Sequence, residues 1–289
     1  MVYMTKQEWD NKILSQINSD QFYEGEEFAY YKKIYSILKY SVNTLYKGHI
    51  YRVKIFISAE ILFHKYKICS NNFSFSGVSS EELYILMGAC LFLGQKISDK
   101  LITVYHISGF IKELIDKINP LNNLDKESIK QKIFEKESEI LQIIGFNCNI
   151  DFPINFKNQI KNFVSKLIND DIILKNFMNE LGHPIIDSYL LPLALYFIPD
   201  VIVISSLKVI KEKCNFDFIN LKDLIALSSY KIDEQEIELC FSLIKKIRHQ
   251  FYKNNETISK EKEDNHTEGK DSNSMTNDAS IKSNIFKLG

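Results

Sequence analysis

From Leu83 to Gly94, apolar or small residues occupy every helical face: Leu83-Tyr84-Ile85-Leu86-Met87-Gly88-Ala89-Cys90-Leu91-Phe92-Leu93-Gly94, then Gln95-Lys96-Ile97. A helix that is apolar all round is buried all round. This pattern predicts a central helix over 81–96 with other helices packed about it. Ser79-Ser80-Glu81-Glu82 reads as a hydroxyl-then-acid helix start. Gly88, Ala89 and Gly94 allow neighbouring helices to approach closely. The run is shorter than the roughly 20 apolar residues that span a bilayer. Lys96 and the following Ile97-Ser98-Asp99 mark the point where the helix meets solvent, and function is expected there.

Other segments show helical spacing. Trp9, Ile13, Leu14 and Ile17 share a face over Thr5 to Asn18. Glu26 to Tyr46 is a Tyr-rich helix. Over Tyr51 to Cys69, Val53, Phe56, Ile57, Ile61, Leu62 and Tyr66 recur near helical spacing. Lys100 to Ile118 reads as a helix, although Leu101-Ile102-Thr103-Val104-Tyr105 also suits a strand. Asn119-Pro120 ends it. From Lys126 to Ile144, Ile129, Ile133, Phe134, Glu137, Ile140, Leu141 and Ile144 recur at three and four, with Gly145 as the stop.

Asp151-Phe152-Pro153 marks a boundary, after which the scheme starts again. Asn155 to Ile168 is amphipathic. Asp170 to Tyr196 is apolar, with breaks expected at Gly182-His183-Pro184 and Pro192. Asp170-Asp171 suits a helix N-terminus. Val201-Ile202-Val203-Ile204 has strand-like β-branching. Pro199-Asp200 ahead of it fits a first helical turn, so a helix mirroring 81–96 is expected. Segments 81–96 and 199–212 should be the two most buried helices. Leu221 to Leu227 is a short helix, and Asp233 to Tyr252 closes the series with Ile237, Phe241, Ile244 and Ile247 in register. Past Lys253 the Lys, Glu, Asn, Ser and Thr composition predicts disorder. The fold expected is all-α, with two similar blocks and a short N-terminal helix, which suggests internal duplication.

Composition agrees with helices: Gly and Pro number only 10 and 5 in 289 residues. The net charge of −1 gives no general attraction to nucleic acid. Residues 1–6 lack an apolar signal core, so secretion is not expected. The five cysteines, at 69, 90, 148, 214 and 240, form no Cys-x-x-Cys and read as buried or incidental thiols of a reducing compartment. No phosphate-binding glycine loop, metal-ligand histidine spacing or nucleophile elbow is present. The chain reads as a binding protein, not an enzyme, with no cofactor and no metal.

Three segments together resemble the main blocks of a cyclin box: Ile61-Leu62-Phe63-His64-Lys65-Tyr66, Gly88 through Ile97, and Glu137-Ser138-Glu139-Ile140-Leu141-Gln142-Ile143-Ile144-Gly145-Phe146. Asp187-Ser188-Tyr189-Leu190, Pro199-Asp200-Val201-Ile202 and the start of the last helix at Asp233 are similar to second-box segments of transcription-associated cyclins of the K, L, T and C types. His64, where cell-cycle cyclins carry Asp, is similar to the same branch. The resemblance covers roughly residues 26 to 252. It departs from the family at Gly94 and Gln95, at Ser98-Asp99, which leaves one carboxylate after the lysine, and at Ile204-Ser205-Ser206. It implies an N-terminal helix over 1–22, a first cyclin box over 23–150, a second over 151–252 and a tail over 253–289.

The resemblance further implies a non-catalytic partner that activates a cyclin-dependent Ser/Thr kinase in the nucleus or cytoplasm, within RNA polymerase II transcription. By position, Lys96 and Glu137 match the charged pair that contacts kinase backbone. Leu93, Ile97, Leu141 and Phe146 match the apolar groove beside it. No membrane and no direct nucleic-acid contact are implied. The plain alternative is that Lys96 is a solvated helix end, Glu137 a surface carboxylate and the four hydrophobes core. A TFIIB-like factor binding DNA and polymerase would use the same duplicated fold. It would need a basic face and usually paired Cys-x-x-Cys motifs.

Overall fold

The computed structural model describes residues 14–70, 78–98, 102–121, 123–168, 170–214 and 219–264. Among them are twelve α-helices and no strand, so the protein is all-α. The helices are α1 Ser15–Asn18, α2 Asp20–Glu24, α3 Glu26–Leu45, α4 Arg52–Cys69, α5 Ser80–Ile97, α6 Val104–Ile118, α7 Lys126–Ile143, α8 Ile154–Val164, α9 Asp171–Asp187, α10 Pro199–Cys214, α11 Leu221–Leu227 and α12 Glu234–Asp264. Residues 1–247 form one compact unit and 248–289 a second. Trp9, Ile13, Asp99, Leu101 and the tail beyond residue 264 lie outside the described residues.

Local signals start the helices where the pattern placed them. Ser79 caps α5 in a capping box: its hydroxyl accepts from the Glu82 N–H, and Glu82 reaches back to the Ser79 N–H at 3.0 Å. Asp125, Asp170 and Asn220 cap α7, α9 and α11 with side-chain oxygens. Val104 and Tyr105 are helical, and so are Val201 to Ile204, so neither strand alternative is realised.

α5 lies at the centre of the first half. Leu83 through Gln95 are all buried. Its small residues work as expected. A Cβ at Gly94 would lie 2.9 Å from the Ile55 carbonyl oxygen and 3.1 Å from the Ala59 nitrogen, so α4 and α5 touch backbone to backbone. Gly88 faces Ile111 of α6 and Ile133 of α7 at 3.1–3.2 Å. The expectation of two most buried helices needs enlarging. α4 is buried at every position from 55 to 64, a longer run than 200–207 in α10. The α4 pattern hides this burial because Ser58, Glu60 and His64 interrupt it.

Two elements depart from the pattern. Gly182-His183-Pro184 does not break α9, which runs through to Asp187. An interior Pro costs a helix about 3 kcal/mol. Burial of Leu181, Pro184 and Ile185 offsets this at roughly 1.5–3 kcal/mol for each large apolar side chain. The chain then makes 3-10 turns at 188–190 and 192–195, where Pro192 does interrupt. The closing helix continues to Asp264 instead of giving way at residue 253. Its Lys- and Glu-rich composition has helix propensity of its own.

The junction between the halves is polar and buried. Tyr35 donates to Asp187 Oδ1 at 3.0 Å. His64 Nε2 lies 2.9 Å from the Tyr189 carbonyl, which can only accept, so this nitrogen carries the proton. In the second half, Ser205 of α10 donates to the Ile237 carbonyl of α12 at 3.1 Å, so a hydroxyl bridges two helices.

Candidate functional site

Lys96 and Glu137 meet at the C-terminal end of α5. Their Nζ–Oε1 distance is 2.5 Å. The geometry is set from both helices. Phe92, one turn before Lys96, lies under the ammonium, with its ring centroid 4.1 Å from Nζ. Phe92 in turn packs edge-on against Phe134, one turn before Glu137, at 5.6 Å. A cation held over a ring face and beside a carboxylate has two reasons to stay there. The pair is unequal: the Lys96 side chain is 43% exposed and that of Glu137 only 10%. Glu137 is therefore not a surface carboxylate.

Gln95 holds the end of this helix and was noted in the sequence only as a departure. It is fully buried. Its Oε1 accepts from the hydroxyl of Tyr46, the residue that ends α3, at 2.8 Å and from the Ile102 N–H at 3.0 Å. Its Nε2 donates to the Ile102 carbonyl at 2.9 Å. The clamp fastens both α3 and the segment leading into α6 to the turn that carries Lys96. The available signal was one amide in an otherwise apolar run, since a buried amide needs partners.

The other expected residues divide into three kinds. Leu93 is buried in the core. Ile97, next to Lys96, and Leu141, one turn beyond Glu137, are half-buried. Phe146 is 69% exposed. Its position follows from how α7 ends. The Gly145 N–H donates to Gln142 O at 3.2 Å and the Phe146 N–H to Leu141 O at 2.7 Å, a Schellman closure. Gly145 takes φ 62° as that closure requires, and Phe146 follows at φ 57°. A non-glycine residue in this region costs roughly 1–2 kcal/mol. An aromatic ring is thus held in solvent on a strained backbone that two hydrogen-bonded turns enforce. Strain of this kind clusters at binding and switch sites.

Lys132 of α7 pairs with Glu81 of α5 at 2.7 Å and ties the two helices together. Tyr66 of α4 donates to Glu139 of α7 at 2.5 Å, and Lys136 of the same helix pairs with that carboxylate at 2.6 Å.

α4 carries a buried ionisable pair of its own. Glu60 and His64 are each 1% exposed and 3.7 Å apart. Burial pushes the Glu60 carboxyl well above its ordinary range. Burial drives His64 down to about 3, against the opposing pull of the Tyr189 carbonyl. The two are neutral neighbours, not an ion pair. Glu60 Oε1 and His64 Nδ1 find no partner among the described residues.

No described helix is long and apolar enough to cross a membrane. No group of three His, Cys, Asp or Glu among the described residues could hold a metal. No protein-family model matches the chain, and no curated protein matches it.

Proposed function

We propose that this chain is the regulatory subunit of a cyclin-dependent Ser/Thr kinase, built on two tandem cyclin boxes and acting on RNA polymerase II transcription in the nucleus. The observation that carries this reading is the exposed, strained Phe146 just past the end of α7, the helix whose Glu137 pairs with Lys96 of α5. The family resemblance assigns the same residues to kinase contact. Support for the tandem boxes comes from the order of elements: α3–α7 and α8–α12 are two runs of five, with the sheathed helices α5 and α10 third in each.

The chemistry suits a helix of a partner arriving end-on or side-on. Lys96 has further N–H groups for partner carbonyls beyond the one given to Glu137, and Glu137 Oε2 is left to accept a partner N–H. Ile97, Leu141 and Phe146 offer apolar surface beside these polar groups. Binding the active kinase conformation more tightly than the inactive one shifts the population toward the active state. The gain is the Lys–Glu pairing on which kinase phosphoryl transfer depends.

The test is co-purification of the full chain with Ser/Thr kinases, followed by kinase assays with Glu137→Gln and Phe146→Gly. Retained folding with lost activation supports the proposal. Normal activation by both variants, or salt-sensitive DNA binding without any kinase, overturns it.

A further inference from the structure

Lys157 is a half-buried amine that has no partner among the described residues. It stands on α8 beside Phe156, which with Ile160 and Val164 forms the buried face of that helix. Its Nζ reaches α9, where it lies 3.1 Å from the point that a Cβ on Gly182 would occupy. The glycine therefore leaves a notch, and the amine fills it. No hydrogen-bond acceptor and no carboxylate meets this Nζ among the described residues. The nitrogen nevertheless still touches solvent. Other lysines drawn into the fold are provided for. Lys65 donates to the Asn147 and Asn149 carbonyls, each at 3.0 Å, and Lys67 is held by Glu27 and Tyr31. A charge taken out of water without a partner is costly, and neutralisation relieves that cost.

We propose that Lys157 is a modification site: its amine takes an acyl group from an acyl thioester, and the neutral amide product occupies the notch between α8 and α9. The ammonium first gives one proton to solvent. The nitrogen lone pair then attacks the thioester carbonyl carbon. The C–N bond forms, the C–S bond breaks, and the thiolate leaves with the electron pair of that bond. The amide nitrogen loses its extra proton and the thiolate takes one up, so the products are an amide and a thiol. Nothing is oxidised or reduced.

The notch favours both the reactant and the product. Burial pulls the Lys157 ammonium below its ordinary range, and no neighbouring charge opposes that pull. A fall of one in pKa makes about tenfold more free amine at neutral pH. At Lys67, by contrast, Glu27 works to keep the proton on. The product carries no charge to strip of water, and solvent at the open side of the notch serves its N–H and carbonyl. Acylation thus removes the feature that burial penalises, whereas at an ion-paired lysine it would break a contact. This inference concerns α8 and α9 alone and stands or falls independently of the kinase reading.

The test exposes the folded, full-length chain to a limiting amount of the acetyl thioester of N-acetylcysteamine and maps acetylated peptides by mass spectrometry. Lys161, exposed and one turn further along α8, is the reference. At neutral pH Lys157 should acetylate at least several-fold faster than Lys161, and its rate should level off at a lower pH. Lys157→Arg should remove that label and leave the labelling of Lys161 unchanged. Chain acetylated at Lys157, and the Lys157→Met variant, should unfold at a urea midpoint no lower than the parent. Equal rates at the two lysines, or labelling of Lys157 only once urea has unfolded the chain, overturns the proposal. A lowered midpoint in both the acetylated chain and Lys157→Met also overturns it, because the ammonium would then have compensation in the notch.

Discussion

The inequality of the Lys96–Glu137 pair separates stability from function. Lys96→Met keeps an unbranched stem over Phe92 but strands Glu137, a carboxylate whose side chain is 10% exposed. Leaving a buried acceptor unsatisfied costs about 1–3 kcal/mol, more when it is charged. Glu137→Gln keeps the shape and leaves Lys96, at 43% exposure, free to turn into water. Losing a half-exposed ion pair costs about 1 kcal/mol or less. Urea unfolding should therefore rank Lys96→Met well below Glu137→Gln. The double variant should recover part of the Lys96→Met loss, because no charge is then stranded. In kinase activation the order changes. Glu137→Gln removes a charge-assisted contact that the complex would bury, worth about 2–5 kcal/mol, so activation should fall by tens- to thousands-fold in affinity with the fold intact. Equal unfolding costs for the two single variants, or a double variant no more stable than Lys96→Met, would refute the argument from burial. Full activation by Glu137→Gln would refute the interface.

Three further outcomes are expected. Phe146→Gly should leave stability within about 1 kcal/mol of the parent, since relief of the left-handed strain offsets the entropy of glycine, yet weaken kinase binding at least several-fold by titration. Gly94→Ala should cost about 1–3 kcal/mol in chemical unfolding, because its Cβ meets the α4 backbone at 2.9 Å and backbone cannot step aside; a neutral result would mean α4 and α5 can separate freely. His64 is held down to about 3 in the folded state against an ordinary 6.5, so its stabilisation is complete above pH 6.5 and is lost as pH falls toward 3. Glu60 is shifted the other way, so its cost grows as pH rises above 4.5. Unfolding midpoints measured across pH should lose the acid-side decline in His64→Gln and rise at neutral pH in Glu60→Gln; unchanged profiles would mean neither group is buried as described.

The fold class and most helix boundaries follow from local rules. The capping box at Ser79, the Asp170 start and the Gly145 stop are decided within three or four residues. The apolar sheath of 83–94 announces its burial because no neighbour can turn an all-apolar helix toward water. Close approach at Gly88 and Gly94 was legible for the same reason: only small residues allow it.

Tertiary structure decided what depends on partners distant in sequence. Pro184 stays inside α9 because the burial around it outweighs the lost hydrogen bond. Burial of α4 from 55 to 64 was masked by Ser58, Glu60 and His64, which interrupt its apolar pattern. Position in the chain proposed Lys96 and Glu137, but their inequality comes from which side of the α5–α7 seam each occupies. The strain at Phe146 arises one residue past the glycine that relieves its own. Lys65 holds the 147–149 loop against α4 from eighty residues away. Sequence patterns encode preferences over a few turns of chain. Charge burial, backbone strain and shared partners are set by which segments meet, and that is fixed when the whole chain packs.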